Sequence, residues 1–296
     1  MSSVLNFIWI NLEFANESNG KDAPLAPPMP SAYLAGAMAA ADHNADMTVR
    51  LWIDGKRVTG AQKDFLKNEI AAGGSKLQLA DLRDIPAYNR EPLYNWRETN
   101  PRWRDDKKSL IWRQVDAAKV LVCLQGGFDR VYFADMDLAA TPIKEDTFQK
   151  KIDTYGLFVN QSPSYPVIEN QMWGFDAARR MDFFETLYKR TLKEAYKGEN
   201  GWQPLVQHVE EKLCASQTRG GEGIWLNDIV VFTRESGLRA HHPDHRFETG
   251  TKKDNGKEAL ARGRLQKAFS GLRARTIHTA YRAVQKPYRY LHMLRR

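Results

Sequence analysis

Two cysteines, Cys123 and Cys214, are all that this chain of 296 residues contains, and they lie far apart among unrelated neighbours. That scarcity excludes a disulfide-stapled scaffold and any cysteine-based metal or redox pair, and it predicts a protein kept in a reducing cytoplasm. Long hydrophobic runs are also missing, and nothing approaches the ~20 apolar residues of a membrane-crossing helix. The first ten residues have no basic flank and soon meet Asn11 and Glu13, so they do not read as a signal peptide. Internal repeats and low-complexity blocks are absent. A glycine-rich stretch, 216–223, lacks the Gly-Lys-Ser/Thr ending of a phosphate-binding P-loop and reads as a flexible connection.

Net positive charge is confined to one end. Residues 251–296 hold thirteen Lys or Arg against Asp254 and Glu258, a net +11, so the other 250 residues carry −3 of the overall +8. The basic character belongs to the tail, which argues against a nucleic-acid footprint spread over the whole protein.

With 42% hydrophobic and 11% aromatic residues, the chain can bury a substantial core. Leu5-Asn6-Phe7-Ile8-Trp9-Ile10 reads as a buried strand, and the Ala-rich segment 31–43 as a helix. Thr48-Val49-Arg50-Leu51-Trp52-Ile53 reads as a second strand closed by the turn Asp54-Gly55. A helix over 61–72 ends at Gly73-Gly74, and residues 77–82 form a third strand. The stretch 84–106, dense in Pro, Tyr, Trp and Arg, reads as one long irregular excursion. A helix over 108–125 leads through Gly126-Gly127 to a fourth strand at 130–134, and further helices are expected over 176–196 and 203–215, with a late strand at 229–233. Strands alternating with helices at this spacing predict an α/β fold with a mostly parallel central sheet flanked by helices. The predicted domains are 1–250, the α/β body, and 251–296, a basic amphipathic helical extension.

The strongest local signal is Tyr132-Phe133-Ala134-Asp135-Met136-Asp137. On an extended chain Asp135 and Asp137 face the same way, about 7 Å apart, at the carboxyl end of a strand, where open α/β sheets bind ligands. Such carboxylates repel unless a cation lies between them, and oxygen ligands suit Mg²⁺ or Mn²⁺. An ion held there can neutralise a diphosphate.

In this context the sequence resembles the GT-A glycosyltransferases that carry a DXD motif, above all the group spanning the large glucosylating toxins and the yeast mannosyltransferase-like sugar transferases. The resemblance runs over roughly residues 5–235. Phe7-Ile8-Trp9-Ile10 resembles the opening strand, whose Trp packs on the nucleotide base, and Trp52-Ile53-Asp54 resembles the second strand. Asp116 stands in a helix before a Gly-Gly pair, as does the family's donor-sugar Asp, and Asp135 with Asp137 matches the DXD pair. Ile168-Glu169-Asn170-Gln171-Met172 is similar to a later sugar-contacting segment. Two features depart from that group. Lys119 stands where the family often has Arg, and Phe128-Asp129-Arg130-Val131-Tyr132 is closer to the bacterial lipopolysaccharide galactosyltransferase group, in which a late His completes the metal shell.

The resemblance therefore implies a retaining, metal-dependent hexose transfer from a nucleoside-diphosphate sugar, a UDP-sugar being favoured, to a hydroxyl acceptor. Trp9, Asp54, Asp116 and Asp135 would line the donor; Asp116, Lys119 and Asn170 would act about the sugar. Asp135 and Asp137, with His241, His242 or His245, would hold Mn²⁺ or Mg²⁺. Residues 257–296 interleave apolar and aromatic side chains with Arg and Lys, which suits an anionic membrane surface. The expected acceptor is a bacterial surface glycan or lipid-linked oligosaccharide, and the expected location is cytoplasmic, peripheral on the inner face of the membrane. The competing readings are a protein-modifying toxin-type transferase, a nucleotidyltransferase, and a non-catalytic membrane or nucleic-acid adaptor, with nucleic-acid binding disfavoured.

Overall fold

The computed structural model describes residues 1–10, 29, 31–95, 107–136, 138, 146–161, 168–197, 202–214 and 221–232. The chain divides into two units, Met1–Ala240 and His241–Arg296. The second, and with it the extension 251–296, lies outside the described residues.

Seven strands form one sheet: β1 (Ser3–Trp9), β2 (Thr48–Ile53), β3 (Gln78–Asp81), β4 (Arg130–Ala134), β5 (Leu157–Gln161), β6 (Ile168–Asp176) and β7 (Val230–Phe232), in the order β3-β2-β1-β4-β6-β5-β7. β6 runs antiparallel to β4 and β5, and the other pairings are parallel. The expected α/β class and mostly parallel central sheet are found. Near-continuous apolar strands such as β1 require cover on both faces. Val4, Ile8, Val131, Phe133, Trp173 and Phe175 pack on α5 (Lys107–Cys123), α7 (Ala177–Lys197) and α8 (Trp202–Val209). Leu5, Phe7, Leu51, Tyr132 and Ala134 pack on α1 (Ser31–His43), α2 (Gly60–Ala72) and α6 (Asp146–Tyr155). Among the described residues no helix is long and apolar enough to cross a membrane.

Local chemistry accounts for several boundaries. Thr59 caps α2 reciprocally with Gln62, a capping box. Gly174 pairs with Tyr132 on one side and Phe158 on the other; a Cβ there would meet both rings at 2.5 Å, so only glycine lets the rings close over the strand. Cys123 is fully buried, as expected of a small apolar side chain, and burial pushes its thiol pKa far up.

Three expectations need correction. Part of the stretch read as irregular is regular: a 3-10 turn (Leu82–Asp84) and the short helices α3 (Pro86–Arg90) and α4 (Pro92–Asn95) occupy it. Both helices begin at a proline, which is pre-set for a first turn, and both are too short to show a period. The helix α6 was not anticipated at all. The helix expected over 203–215 is α8 continued by a π-helical segment, Glu210–Cys214.

Candidate active site

From β1 the chain steps through β2 to β3 on one side and then returns through α5 to β4 on the other side of β1. The carboxyl ends of β1 and β4 therefore flank a topological switch point, where open α/β sheets bind ligands. Asp135 follows the last residue of β4. The alternation that points Val131 and Phe133 at α5 carries Asp135 to that same face.

There the structure brings together four of the residues predicted from sequence. Asp116 and Lys119, at i and i+3, share one face of α5. The Lys119 ammonium lies 2.7 Å from Asp135 Oδ1 and 3.5 Å from Asp116 Oδ1. It also donates to the Asn170 carbonyl at 3.3 Å and lies 5.6 Å from the centroid of the Phe133 ring. Asn170 Nδ2 donates to Asp116 Oδ1 at 2.6 Å. Lys119 is buried, whereas the Asp135 side chain keeps 24% of its surface exposed. A buried ammonium needs anionic partners; here it has two, and the trio carries a net −1.

An irregularity in β6 makes this possible. Val159 of β5 pairs with Trp173, but the next residue, Asn160, pairs with Glu169. Residues 170–172 are thereby left over against β5 as a bulge, a device that re-aims side chains beside functional sites. The carbonyls of this stretch are reused: Asn170 O accepts from Lys119, and Gln171 O accepts from the Asp135 N–H at 2.7 Å. No sequence signal marks the bulge.

The expected alternation of Asp135 and Asp137 along an extended chain falls on a residue, Asp137, outside the described residues. Leu138 N–H donates to Asp135 C=O at 2.9 Å. Asp137, His241, His242 and His245 lie outside the described residues. Among the described residues no three His, Cys, Asp or Glu side chains gather as a metal cage.

Trp9 stands at the same carboxyl edge, half-buried, but packs toward the α1 and α2 core on the other face of the sheet. Asp54 belongs to a separate cluster. It is fully buried and accepts both Arg83 Nε and Nη2, at 2.7 and 2.8 Å, the Tyr88 hydroxyl at 2.9 Å and the Lys56 N–H at 3.0 Å, with Arg57 Nε at 3.3 Å. Its carboxylate therefore organises the end of β2. Burial, and then the Asp54 charge, push the Tyr88 hydroxyl pKa well up, while burial lowers that of Arg57. Beside it, burial pushes the Asp81 carboxyl up, but the Arg83 N–H, Lys63 and the Gly55 N–H together hold it below its usual value. A Cβ on Gly55 would fall 2.1 Å from Asp81 Oδ2, which explains the glycine in that turn.

Sequence reasoning missed this cluster and its link to the site. Arg57 Nη2 donates to Gln114 Oε1 at 2.5 Å, and Gln114 Nε2 donates to the Leu93 carbonyl at 2.6 Å. Gln114 lies two residues before Asp116, so the cluster braces the helix that carries Asp116 and Lys119. It joins residues 57, 83, 88 and 114 from separate elements, and no local spacing announces it.

No family model matches the sequence, and no curated protein is recognisably similar to it. Its shape overlaps several solved structures loosely. A structure described as PaToxG glycosyltransferase is 13% identical at a TM-score of 0.46, over 71% of this chain and 69% of that one. Mouse xyloside xylosyltransferase 1 in its apo form is 10% identical at 0.40, over 71% and 82%. The galactosyltransferase LgtC, in complex with donor and acceptor sugar analogues, is 10% identical at 0.39, over 70% of each chain. At these values the functional argument rests on the side chains alone.

Proposed function

We propose that this protein is a glycosyltransferase that moves a hexose from a nucleoside-diphosphate sugar, a UDP-sugar being favoured, to a hydroxyl acceptor with divalent-metal assistance. The observation that carries the reading is the cluster Asp116–Lys119–Asp135–Asn170 at the β1/β4 switch point. Two carboxylates sharing one buried lysine, at a sheet edge suited to nucleotides, is an unusual use of charge for stability alone, because buried ion pairs seldom repay their desolvation.

The donors present fit Mg²⁺ or Mn²⁺. They are oxygens, and the one or two carboxylates available are what these ions take when substrate phosphates complete the shell. Asp135 would be the principal ligand, with Asp137 and one of His241, His242 or His245 as the expected additions. When bound, the ion neutralises charge on the departing diphosphate. Asn170 orients Asp116 through its amide, leaving that carboxylate aimed by two neighbours at the hexose hydroxyls. Lys119 fixes Asp135 in the absence of ligand and supplies positive charge where the phosphates arrive. Trp9 offers its half-buried ring to the base at the same edge. No side chain is assigned as general base, which accords with retention at the anomeric carbon, where the leaving phosphate can take the acceptor proton. The acceptor proposed is a bacterial surface glycan or lipid-linked oligosaccharide, reached from the cytoplasmic face of the membrane through residues 251–296.

Calorimetry with UDP and a panel of UDP-sugars, with and without Mn²⁺, tests the reading. Metal-dependent binding that Asp135→Asn abolishes is expected, together with slow release of free sugar. Binding of no nucleotide under any metal condition overturns the enzyme reading and leaves the adaptor. Pyrophosphate release from a nucleoside triphosphate favours nucleotidyl transfer instead. Removing residues 257–296 is expected to release the protein from membranes while donor hydrolysis continues.

A further inference from the structure

We infer that Trp112 is the platform on which a pyranose ring of the acceptor stacks, so that the acceptor is itself a glycan. The inference rests on the glycosyl-transfer reading above and deepens it. Among the described residues the large hydrophobic side chains left exposed are Met1, Phe65, Trp112 and Trp225, and Trp112 is 54% exposed. Its position separates it from the others. Residues 112, 116 and 119 stand at i, i+4 and i+7 of α5 and share one stripe of that helix, the stripe that carries Asp116 and Lys119. The neighbouring faces of α5, with Arg113, Gln114, Ala117, Ala118, Val120 and Leu121, are buried. The indole is thus on the face turned to the site and contributes little to the core.

The direction of the helix sets the distance. β3 and β4 run in the same sense, so α5, which joins them, runs back from the carboxyl edge of the sheet toward its amino edge. The earlier residues of α5 therefore lie farther out. Seven residues separate Trp112 from Lys119, about 10 Å along the axis, which is on the order of two pyranose rings end to end. A donor hexose held against Asp116 and Asp135 would leave about one ring's length along the helix between it and the indole. The flat apolar face of indole fits the C–H face of a pyranose, and burying it against a sugar recovers apolar contact that exposure forfeits. A nucleobase could use the same ring face, but it would have to lie on the outer side of the sugar, away from the sheet edge where the diphosphate would be held.

Wild type, Trp112→Phe and Trp112→Ala are compared with methyl α- and β-glucosides, galactosides and N-acetylglucosaminides as acceptors and a UDP-sugar as donor. The acceptor KM is expected to rise about tenfold in W112A and only a few-fold in W112F, while the Kd for UDP with Mn²⁺ stays within about twofold. Titrating the glycosides alone should perturb indole emission in wild type and not in W112F. A weakened UDP affinity in W112A overturns the inference in favour of base stacking. An unchanged acceptor KM, or transfer to none of the glycosides while the donor is still hydrolysed, also overturns it. If no nucleotide binds, the glycosyl-transfer reading fails, and the emission titration alone then decides whether Trp112 binds sugar.

Discussion

Replacing Lys119 by Met removes a buried ammonium and leaves its two carboxylate partners facing one another. Because the ammonium lies 2.7 Å from Asp135 Oδ1 and 3.5 Å from Asp116 Oδ1, those oxygens stand within about 6 Å of each other. At that separation two unit charges repel by about 3 kcal/mol at an effective dielectric of 20 and by under about 1 kcal/mol in water. Asp135 is partly open to solvent, so the true cost falls between these limits, and the lost attraction adds to it. We expect K119M to unfold with about 2–3 kcal/mol less stability than wild type, a fall of about 5–10 °C in Tm. A divalent cation can replace the missing positive charge. Thermal melts in MnCl₂ and in NaCl of matched ionic strength should therefore show Mn²⁺ restoring more than half of the loss in K119M. Wild type should gain less, since there the ion must compete with an ammonium already in place. K119M as stable as wild type without metal, or equal responses of both proteins to Mn²⁺, would show that these carboxylates do not form a cation site.

Three further outcomes are expected. Asp54→Ala leaves the buried guanidinium of Arg57 and the partly buried one of Arg83 without their shared carboxylate and should cost about 3–5 kcal/mol in urea unfolding; Asp54→Asn should cost less, because its amide oxygen still accepts. Gly174→Ala drives a methyl into Tyr132 and Phe158 and should cost about 1–3 kcal/mol or more, read from the same unfolding curves. His208 is buried against Phe183, with Nε2 3.1 Å from the Phe183 carbonyl, and burial lowers its pKa below 6.5. The unfolded chain therefore takes up this proton before the folded one does. The stability from His208 is fully present above about pH 6.5 and is lost as pH falls through the depressed folded value. Tm should drop between pH 7.5 and 5.5 in wild type and drop less in His208→Gln; equal drops would remove His208 from the account.

The parts of the fold that were legible in the sequence are those with a strong local signature. β1, β2 and β4 are dense in β-branched and aromatic residues, the helix at 31–43 is marked by its alanines, and that at 177–197 is long and free of Pro and Gly. What stayed hidden depends on partners distant in sequence or on elements too brief to repeat. α3 and α4 are single turns started by proline, and α6 follows a stretch whose pattern had loosened. At the site, Asp116, Lys119, Asp135 and Asn170 each stand out from motif and resemblance, and the i,i+3 spacing of Asp116 and Lys119 makes their contact legible, but that of Asn170 with Asp116 is not, since it depends on a register shift in β6. Asp54 was read as a ligand-facing residue, but the structure turns it inward to Arg57, Arg83 and Tyr88. Trp112 had a signal, its spacing to Asp116 and Lys119, which carries meaning only once those two are known to face the site.

The three residues that β6 carries beyond its match with β5 have a consequence for how this protein can vary. Surface connections usually absorb insertions and deletions at little cost, but dropping one residue from 170–172 would rotate every later position of β6 to the opposite side of the sheet. Trp173 and Phe175 would leave one core for the other, or, if they kept their places, Asn170 would be drawn away from Asp116. In this short segment, chain length constrains the protein more tightly than side-chain identity does, and sequences that share the site should differ here by exchange of residues and seldom by their number.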